Sequence, residues 1–222
     1  MDGGGGPTRS AQGRRFHVLY RGAGPLVRTF DLGTVARALF AELEGKQLGS
    51  RTDGAFVHAA LVRWEDVHVL VPSWLPPYLG QLGRKVERSG VTLPLAAWVA
   101  VEPDGSIGER EPTLDVPSDA LEALPPASEP GKDVAMWPST GVRVDAVLTH
   151  VEGMTGTSDG MRSAGLYRLA AATANAERTR GKALHAVGEL VRGARTYEIG
   201  LSRPQVMLDG LLAVARHEMA HR

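Results

Sequence analysis

The sequence predicts an α/β fold, a mixed β-sheet with helices packed on its faces. Short runs rich in β-branched residues, such as residues 67–71, alternate along the chain with segments of helical periodicity. Residues 56–105 in particular have the pattern of two hydrophobic strands, a turn, a helix, a third hydrophobic strand and a Pro-Asp-Gly turn. A strand–loop–helix–strand segment of this size is a βαβ unit, whose parallel strands require helices against the sheet.

The composition is typical of a globular domain. The chain has 222 residues, 43% hydrophobic and 23% charged, which is enough for a sizeable core. Its formal net charge of zero disfavours a nucleic-acid or acidic-membrane partner. The lack of cysteine excludes disulfides and a thiolate nucleophile. Because we find neither an apolar run of the roughly 18 residues that span a membrane nor a secretory signal, we expect a cytoplasmic protein.

Domain organisation follows from local composition. We expect the glycine-rich residues 1–14 to be a flexible tail and residues 15–222 to form a single domain. Residues 106–140 collect prolines and acidic residues and predict a surface insertion. Within it we expect a short strand or turn at 113–116 and a short helix at 120–124.

The first elements precede the central unit. Residues 16–20 and 26–30 predict a hairpin of two short strands across an Arg-Gly-Ala-Gly turn. Residues 34–44 predict a helix that Gly45 ends. The apolar positions of this helix are Val35, Leu39, Phe40 and Leu43.

The helix of the central unit has one buried and one charged face. Leu79, Leu82 and Val86 are spaced three and four residues apart, with charged residues around Val86. The Pro-Pro pair at 76–77 suits a helix start, where a missing N–H costs little, and Gly90 suits the helix end.

Strands and helices alternate again in the C-terminal part. In order, we expect a strand at 142–151, a loop at 153–160, helices at about 161–176 and from about 180, a strand at 195–201 and a helix opened by Pro204.

Several features of the central unit follow one another in a familiar order. A strand opens with His58, a charged turn follows, the next strand ends in Leu-Val-Pro at 70–72, and the last strand closes in Val-Glu-Pro-Asp-Gly at 101–105. This order resembles the nucleotide-binding core of the HPr serine kinase/phosphorylase family and its smaller relatives in peptide-natural-product clusters. The resemblance extends over about residues 15–215 and implies an HPr-kinase catalytic-domain-like fold.

The resemblance would put an ATP-binding P-loop at residues 72–78, which read Pro-Ser-Trp-Leu-Pro-Pro-Tyr. A P-loop requires glycines, a Lys for the phosphates and a Ser or Thr for Mg²⁺. This loop has no glycine, its prolines remove three N–H donors, and Lys85 lies too far into the helix. The family's Asp pair is replaced by Leu-Ala-Ala-Trp at 95–98. The sequence therefore resembles a kinase without its catalytic residues, and we assign neither catalytic residues nor a cofactor.

We select His58, Ser73, Trp74 and Tyr78 as candidate binding residues. Ligands of open α/β sheets bind beyond the carboxyl ends of the strands, where the loop at 72–78 projects. An aromatic, proline-stiffened loop there suits an apolar side chain or a peptide. Alternatively, Trp74 only fills the vacated nucleotide cavity. His58 should lie near the former phosphate pocket, as a partly buried polar residue.

The resemblance implies a catalytically degenerate HPr-kinase-like protein that binds a peptide or protein. By family association it would be an accessory factor in a bacterial peptide-modification (RiPP-type biosynthesis) pathway and contact a precursor peptide or a tailoring enzyme. One alternative is an enzyme with a remodelled pocket that binds nucleotide unconventionally or transfers phosphate.

The other alternative is a zinc hydrolase, since His217-Glu218-Met219-Ala220-His221 fits the H-E-x-x-H pattern. On a helix, this pattern puts two imidazoles on one face for zinc, with the Glu as general base. A third ligand would have to come from upstream, for example from His150 or Glu152. Because helix ends fray, we expect a solvated helix end that binds no metal, with His217 and His221 dispensable for the fold and for any activity.

Overall fold

The structure is a computed structural model that describes residues 16–30, 32–93, 98–108, 141–179 and 181–222. The predicted tail and the short strand and helix of the proline-rich insertion lie outside these residues. The described residues divide into two compact units, the first of residues up to 40 and the second of residues from 41 onwards.

The first unit contains the predicted hairpin. Strands β1 (His17–Arg21) and β2 (Gly24–Thr29) pair antiparallel across a turn at Gly22, whose φ is +61°. Helix α1 (Leu32–Leu48) follows, and the boundary between the two units falls within it. The prediction of a hairpin followed by a helix is therefore confirmed.

Gly45 lies inside α1, so the prediction that it ends the helix is wrong. A Cβ at this position would collide with the indole of Trp98, whose Nε1 donates to the carbonyl oxygen of Ala41 at 3.0 Å. The glycine is therefore explained by the close approach of a ring to the helix backbone. The predicted apolar face is only partly buried, since Leu39 and Leu43 are each 41% exposed.

Six strands form the main sheet of the second unit, in the order β6-β4-β5-β8-β10-β9. Their bounds are β4 Ala59–Trp64, β5 Val67–Pro72, β6 Val91–Thr92, β8 Ala146–His150, β9 Thr157–Asp159 and β10 Arg195–Ile199. Strands β5, β8 and β10 are parallel neighbours, whereas β4 and β9 run antiparallel to theirs. Strands β3 (Ala55–Val57) and β7 (Val99–Val101) form a separate antiparallel pair. The predicted mixed sheet is confirmed.

Among the described residues of the second unit, five further helices lie between or after the strands. They are α2 (Leu75–Gly80), α3 (Arg84–Ser89), α4 (Arg162–Ala171), α5 (Lys182–Gly193) and α6 (Pro204–Ala220). Apolar residues of α2, α3 and α6 share one core cluster with Val69 and Val71 of β5, while those of α4 and α5 share a second cluster with Leu70. Successive strand residues point to opposite faces. The sheet thus has helices on both faces, which confirms the predicted α/β class.

The central unit differs from the prediction in two ways. Its single predicted helix is two short helices, because the chain turns at residues 81–83 and Gly83 adopts a φ of +47°. Its third strand is also divided, since β6 pairs with β4 while β7 pairs with β3. The expectation for Gly90 is confirmed, because it ends α3 with a φ of +75°.

The C-terminal strands and helices occur in the predicted order. The predicted loop at 153–160 also contains β9, a three-residue strand on the edge of the sheet. The polar sequence Thr-Ser-Asp gives no alternating pattern, so only its pairing with β10 reveals it. Within the part of the chain that the structure describes, we find no helix with the length and apolarity needed to cross a membrane.

Replacing Gly105 by Ala should destabilise the second unit more than the same change at Gly153. Both glycines have positive φ values, +81° and +76°, where Ala is strained by about 1 kcal/mol. A Cβ at Gly105 would also lie 2.6 Å from the carbonyl carbon of Glu189 and 2.9 Å from the Cα of Leu190, whereas Gly153 faces open space. Urea unfolding should show a loss of about 3 kcal/mol or more for Gly105→Ala. Equal losses for the two variants would contradict this packing.

Candidate functional site

The residues at and just after the carboxyl ends of three parallel strands lie together at one edge of the main sheet. Strand β5 leads into Ser73 and Trp74, β8 ends at His150, and β10 leads into residues 200–203. We call this the carboxyl edge, and the opposite side, where these strands begin, the amino edge. Ligands of open α/β sheets bind at the carboxyl edge.

Trp74 is the half-buried centre of an aromatic contact at the carboxyl edge. Its ring lies edge-on to His150, with 5.3 Å between ring centroids, and to Tyr78, with 6.2 Å. It also packs against the core cluster that α6 covers. Edge-to-face pairs contribute about 0.5–1.5 kcal/mol beyond their buried area. Trp74 is therefore held in place by contacts from two elements, β8 and α2.

Two hydrogen bonds join α2 and α3 to the start of α6. The hydroxyl of Tyr78 donates to the carbonyl oxygen of Ser202 at 2.9 Å, and Nζ of Lys85 donates to Oε1 of Gln205 at 3.2 Å. Tyr78 thus has its polar end satisfied and offers its ring to Trp74. Lys85 lies in α3, separated from the start of α2 by a whole helix.

His58 and Ser73 meet at the same edge. His58 lies between β3 and β4, and its side chain is exposed, so the expectation of a partly buried residue is wrong. Oγ of Ser73 is 3.1 Å from Nε2 and 3.5 Å from Nδ1 of this imidazole. The hydroxyl therefore lies between the two nitrogens and is not aligned with one lone pair. The ring of His58 stacks on Trp98 at 4.6 Å.

The structure thus joins all four candidate residues, in the contacts His58–Ser73 and Trp74–Tyr78, and Ser73 and Trp74 are adjacent in sequence. The sequence-based selection did not include Trp98, which supports His58, or His150, which contacts Trp74. Both aromatic residues are visible in the sequence. His150 ends β8 and Trp98 immediately precedes β7, but their contacts depend on tertiary packing.

The start of α2 is poorly suited to phosphate. Its N-cap is Trp74, with no side-chain capping bond, and the helix has only six residues. Pro76 and Pro77 lack the N–H groups that a helix start would direct at an anion. The geometry at this edge favours apolar and aromatic contact over the binding of a phosphate.

Two concavities occur elsewhere. A cleft of about 260 Å³ near the amino edge is lined by residues 104–105, residues 143–144 and the end of α5. A second, of about 380 Å³, lies on the hairpin and is lined by Phe16, Arg28, Thr29 and Phe30. None of the four candidate residues lines either of these two concavities.

The H-E-x-x-H sequence lies at the amino edge, in the last turn of α6 and just beyond it. Glu218 is only 7% exposed and accepts a hydrogen bond from the hydroxyl of Tyr197. Arg222 forms an ion pair with Asp145 at 2.6 Å. The expectation of a solvated helix end holds for the exposed His217 and His221 but not for Glu218, which is buried.

This arrangement does not form the zinc site of a hydrolase. Tyr197 already bonds the carboxyl group of Glu218, which would act as general base. The suggested third ligands, His150 and Glu152, lie at the opposite edge of the sheet. Among the described residues, no group of three or more His, Cys, Asp or Glu could hold a metal ion.

Burial raises the pKa of Tyr197 from its ordinary value of 10.0 to about 12, and the hydrogen bond and charge of Glu218 act in the same direction. The folded state therefore retains a proton that the unfolded state releases above pH 10. The stability that this contributes is complete below pH 10 and is lost as the pH rises towards 12.

No family model, curated protein or solved structure matches the chain.

Tyr197→Phe should destabilise the protein by about 1.5–3 kcal/mol at neutral pH, because a buried carboxyl group loses its donor. The fall in the free energy of unfolding between pH 10 and 12 should also be smaller than in the wild type. Denaturant unfolding at several pH values measures both effects. Tyr167→Phe, at a residue that is 76% exposed, is the matched control and should change neither. A Tyr197→Phe variant that unfolds like the wild type throughout would contradict this role of the hydrogen bond.

Proposed function

We propose that this protein is a catalytically degenerate, HPr-kinase-like protein that binds a peptide or protein as an accessory factor. Its setting would be a bacterial peptide-modification (RiPP-type biosynthesis) pathway, with a precursor peptide or a tailoring enzyme as partner. The observation that supports the binding role is Trp74 at the carboxyl edge, held between Tyr78 and His150. The pathway and the kinase ancestry rest on the sequence resemblance.

The position of the loop supports the proposal. Residues 73–74 follow β5, which pairs parallel with β8, and α2 begins directly after them. This strand–loop–helix junction is where nucleotide-binding α/β proteins hold phosphate. Here the junction carries a tryptophan and two prolines in place of glycines. The change exchanges phosphate donors for a stiff apolar surface.

The chemistry of that surface supports a peptide or protein as the ligand. Half-buried aromatic side chains supply a large apolar area at low entropic cost, and they dominate many protein interfaces. Trp74 is fixed by its neighbours, and the exposed imidazole of His58 is supported by Trp98. A partner would therefore contact a surface that is already ordered.

The enzyme alternative has one observation in its favour, the contact of Ser73 with His58 at 3.1 Å. A nucleophile and its base require a hydrogen bond along one nitrogen lone pair. The Ser73 hydroxyl instead lies between both ring nitrogens, so this contact supports positioning of the imidazole better than proton transfer. The zinc-hydrolase alternative lacks a free general base, because Tyr197 bonds Glu218.

The role of Trp74 can be separated from its packing with a pair of tryptophan variants. Trp64 is also half-buried against the same core cluster, but it lies at the amino edge. We expect Trp74→Ala to weaken partner binding by about 2 kcal/mol or more, as at interface hot spots, in addition to the stability lost with its ring contacts. Trp64→Ala should lower stability without changing affinity.

Fluorescence anisotropy measures the affinity for labelled synthetic copies of peptides that are encoded near this protein's gene. Thermal melting measures the stability of each variant. If Trp74 merely fills a cavity, Trp74→Ala would lower the free energy of unfolding by about 3–5 kcal/mol. Its affinity for the partner would then be unchanged. That outcome, or an equal loss of affinity in both variants, would contradict the proposal. Failure of all such peptides and of the adjacent tailoring enzyme to bind the wild type would do so as well.

A further inference from the structure

We infer that His217 and His221 form a two-imidazole site for a divalent cation that binds imidazole nitrogen, such as Zn²⁺. In the structure, the guanidinium of Arg195 occupies the position that this cation would take. The site lies at the amino edge, on the opposite side of the sheet from Trp74. It is therefore independent of the proposed binding function. It also differs from a zinc-hydrolase centre, because it uses neither Glu218 nor a third protein ligand.

The two imidazoles are held in position by a well-anchored helix end. They are four residues apart and both exposed, with ring centroids separated by 4.2 Å. Between them, Glu218 is buried and bonded to Tyr197. Arg222, the residue after His221, forms an ion pair with Asp145. Two imidazoles four residues apart, one in the last turn of α6 and one at its C-cap, are suited to a shared metal ion.

Hydrogen bonds indicate which ring nitrogens carry lone pairs. Nδ1 of His221 lies 2.7 Å from the carbonyl oxygen of His217, which can only accept, so Nδ1 carries the proton and Nε2 the lone pair. Nη1 of Arg195 can only donate, and it lies 2.8 Å from Nε2 of His217. Nε2 of His217 is therefore also a lone-pair acceptor. Both rings have a nitrogen in the form that binds metal.

Arg195 already supplies a positive charge at this place. Its guanidinium donates to His217 and lies 3.8 Å from Oε1 of Glu218. Its side chain is 45% exposed, so it can move into solvent without crossing the core. A metal ion must displace this guanidinium and then bind Nε2 of both histidines, with water completing its shell. Arg195 thus competes directly with the cation.

The experiment is a ZnCl₂ titration by isothermal calorimetry at neutral pH, with the full chain carrying no histidine tag. Arg195→Gln should bind one Zn²⁺ about tenfold more tightly than the wild type, because a competing positive charge near the ion is removed. Adding His217→Ala or His221→Ala to Arg195→Gln should abolish this binding. Thermal melting of every variant verifies that it is folded.

His185→Ala in the Arg195→Gln background is the matched control, since His185 lies on α5 and is paired with Glu189. It should leave Zn²⁺ affinity unchanged. Equal affinity of the wild type and Arg195→Gln would overturn the competition by Arg195. Binding that survives the loss of either His217 or His221, or that is absent from folded Arg195→Gln, would overturn the site itself.

Discussion

The parallel pairing of β5, β8 and β10 is the constraint on which the rest of the second unit depends. Because these strands run in one direction, their carboxyl ends share an edge, and the residues that follow them are brought together. The strands are buried on both faces, so helices must cover both sides of the sheet. Trp74 and His150 are distant in sequence, and this pairing is what makes them neighbours.

The elements that the sequence predicts well are those with a clear local signal. The hairpin has a glycine turn, and Gly90 ends α3 in the left-handed conformation that favours glycine. The break between α2 and α3 is not predicted from the sequence. Leu79 and Val86 lie on either side of it and belong to the same core cluster, so their spacing matches that of a continuous helix. At Gly45, the deciding contact comes from Trp98, more than fifty residues away.

The same distinction applies to the candidate sites. Trp74 and Tyr78 could be selected because the loop's position after β5 follows from the fold class and its composition is unusual for that position. The support from Trp98 and His150 could not, since both residues are distant in sequence from the side chains that they contact. Nor does the H-E-x-x-H pattern reveal that Tyr197 bonds its glutamate and Arg195 its first histidine. A motif specifies side chains on a helix, whereas their chemistry depends on the neighbouring strand.

We propose that the carboxyl edge presents an aromatic surface where a P-loop would bind phosphate. Thermal melting of the wild type in increasing Mg-ATP tests it most directly, since a ligand at a hundredfold its Kd adds about 2.7 kcal/mol of stability. With a tryptophan and two prolines at the helix start, we expect no change in Tm up to millimolar Mg-ATP. A clear, saturable rise in Tm would show that this edge still binds nucleotide and would contradict the proposal.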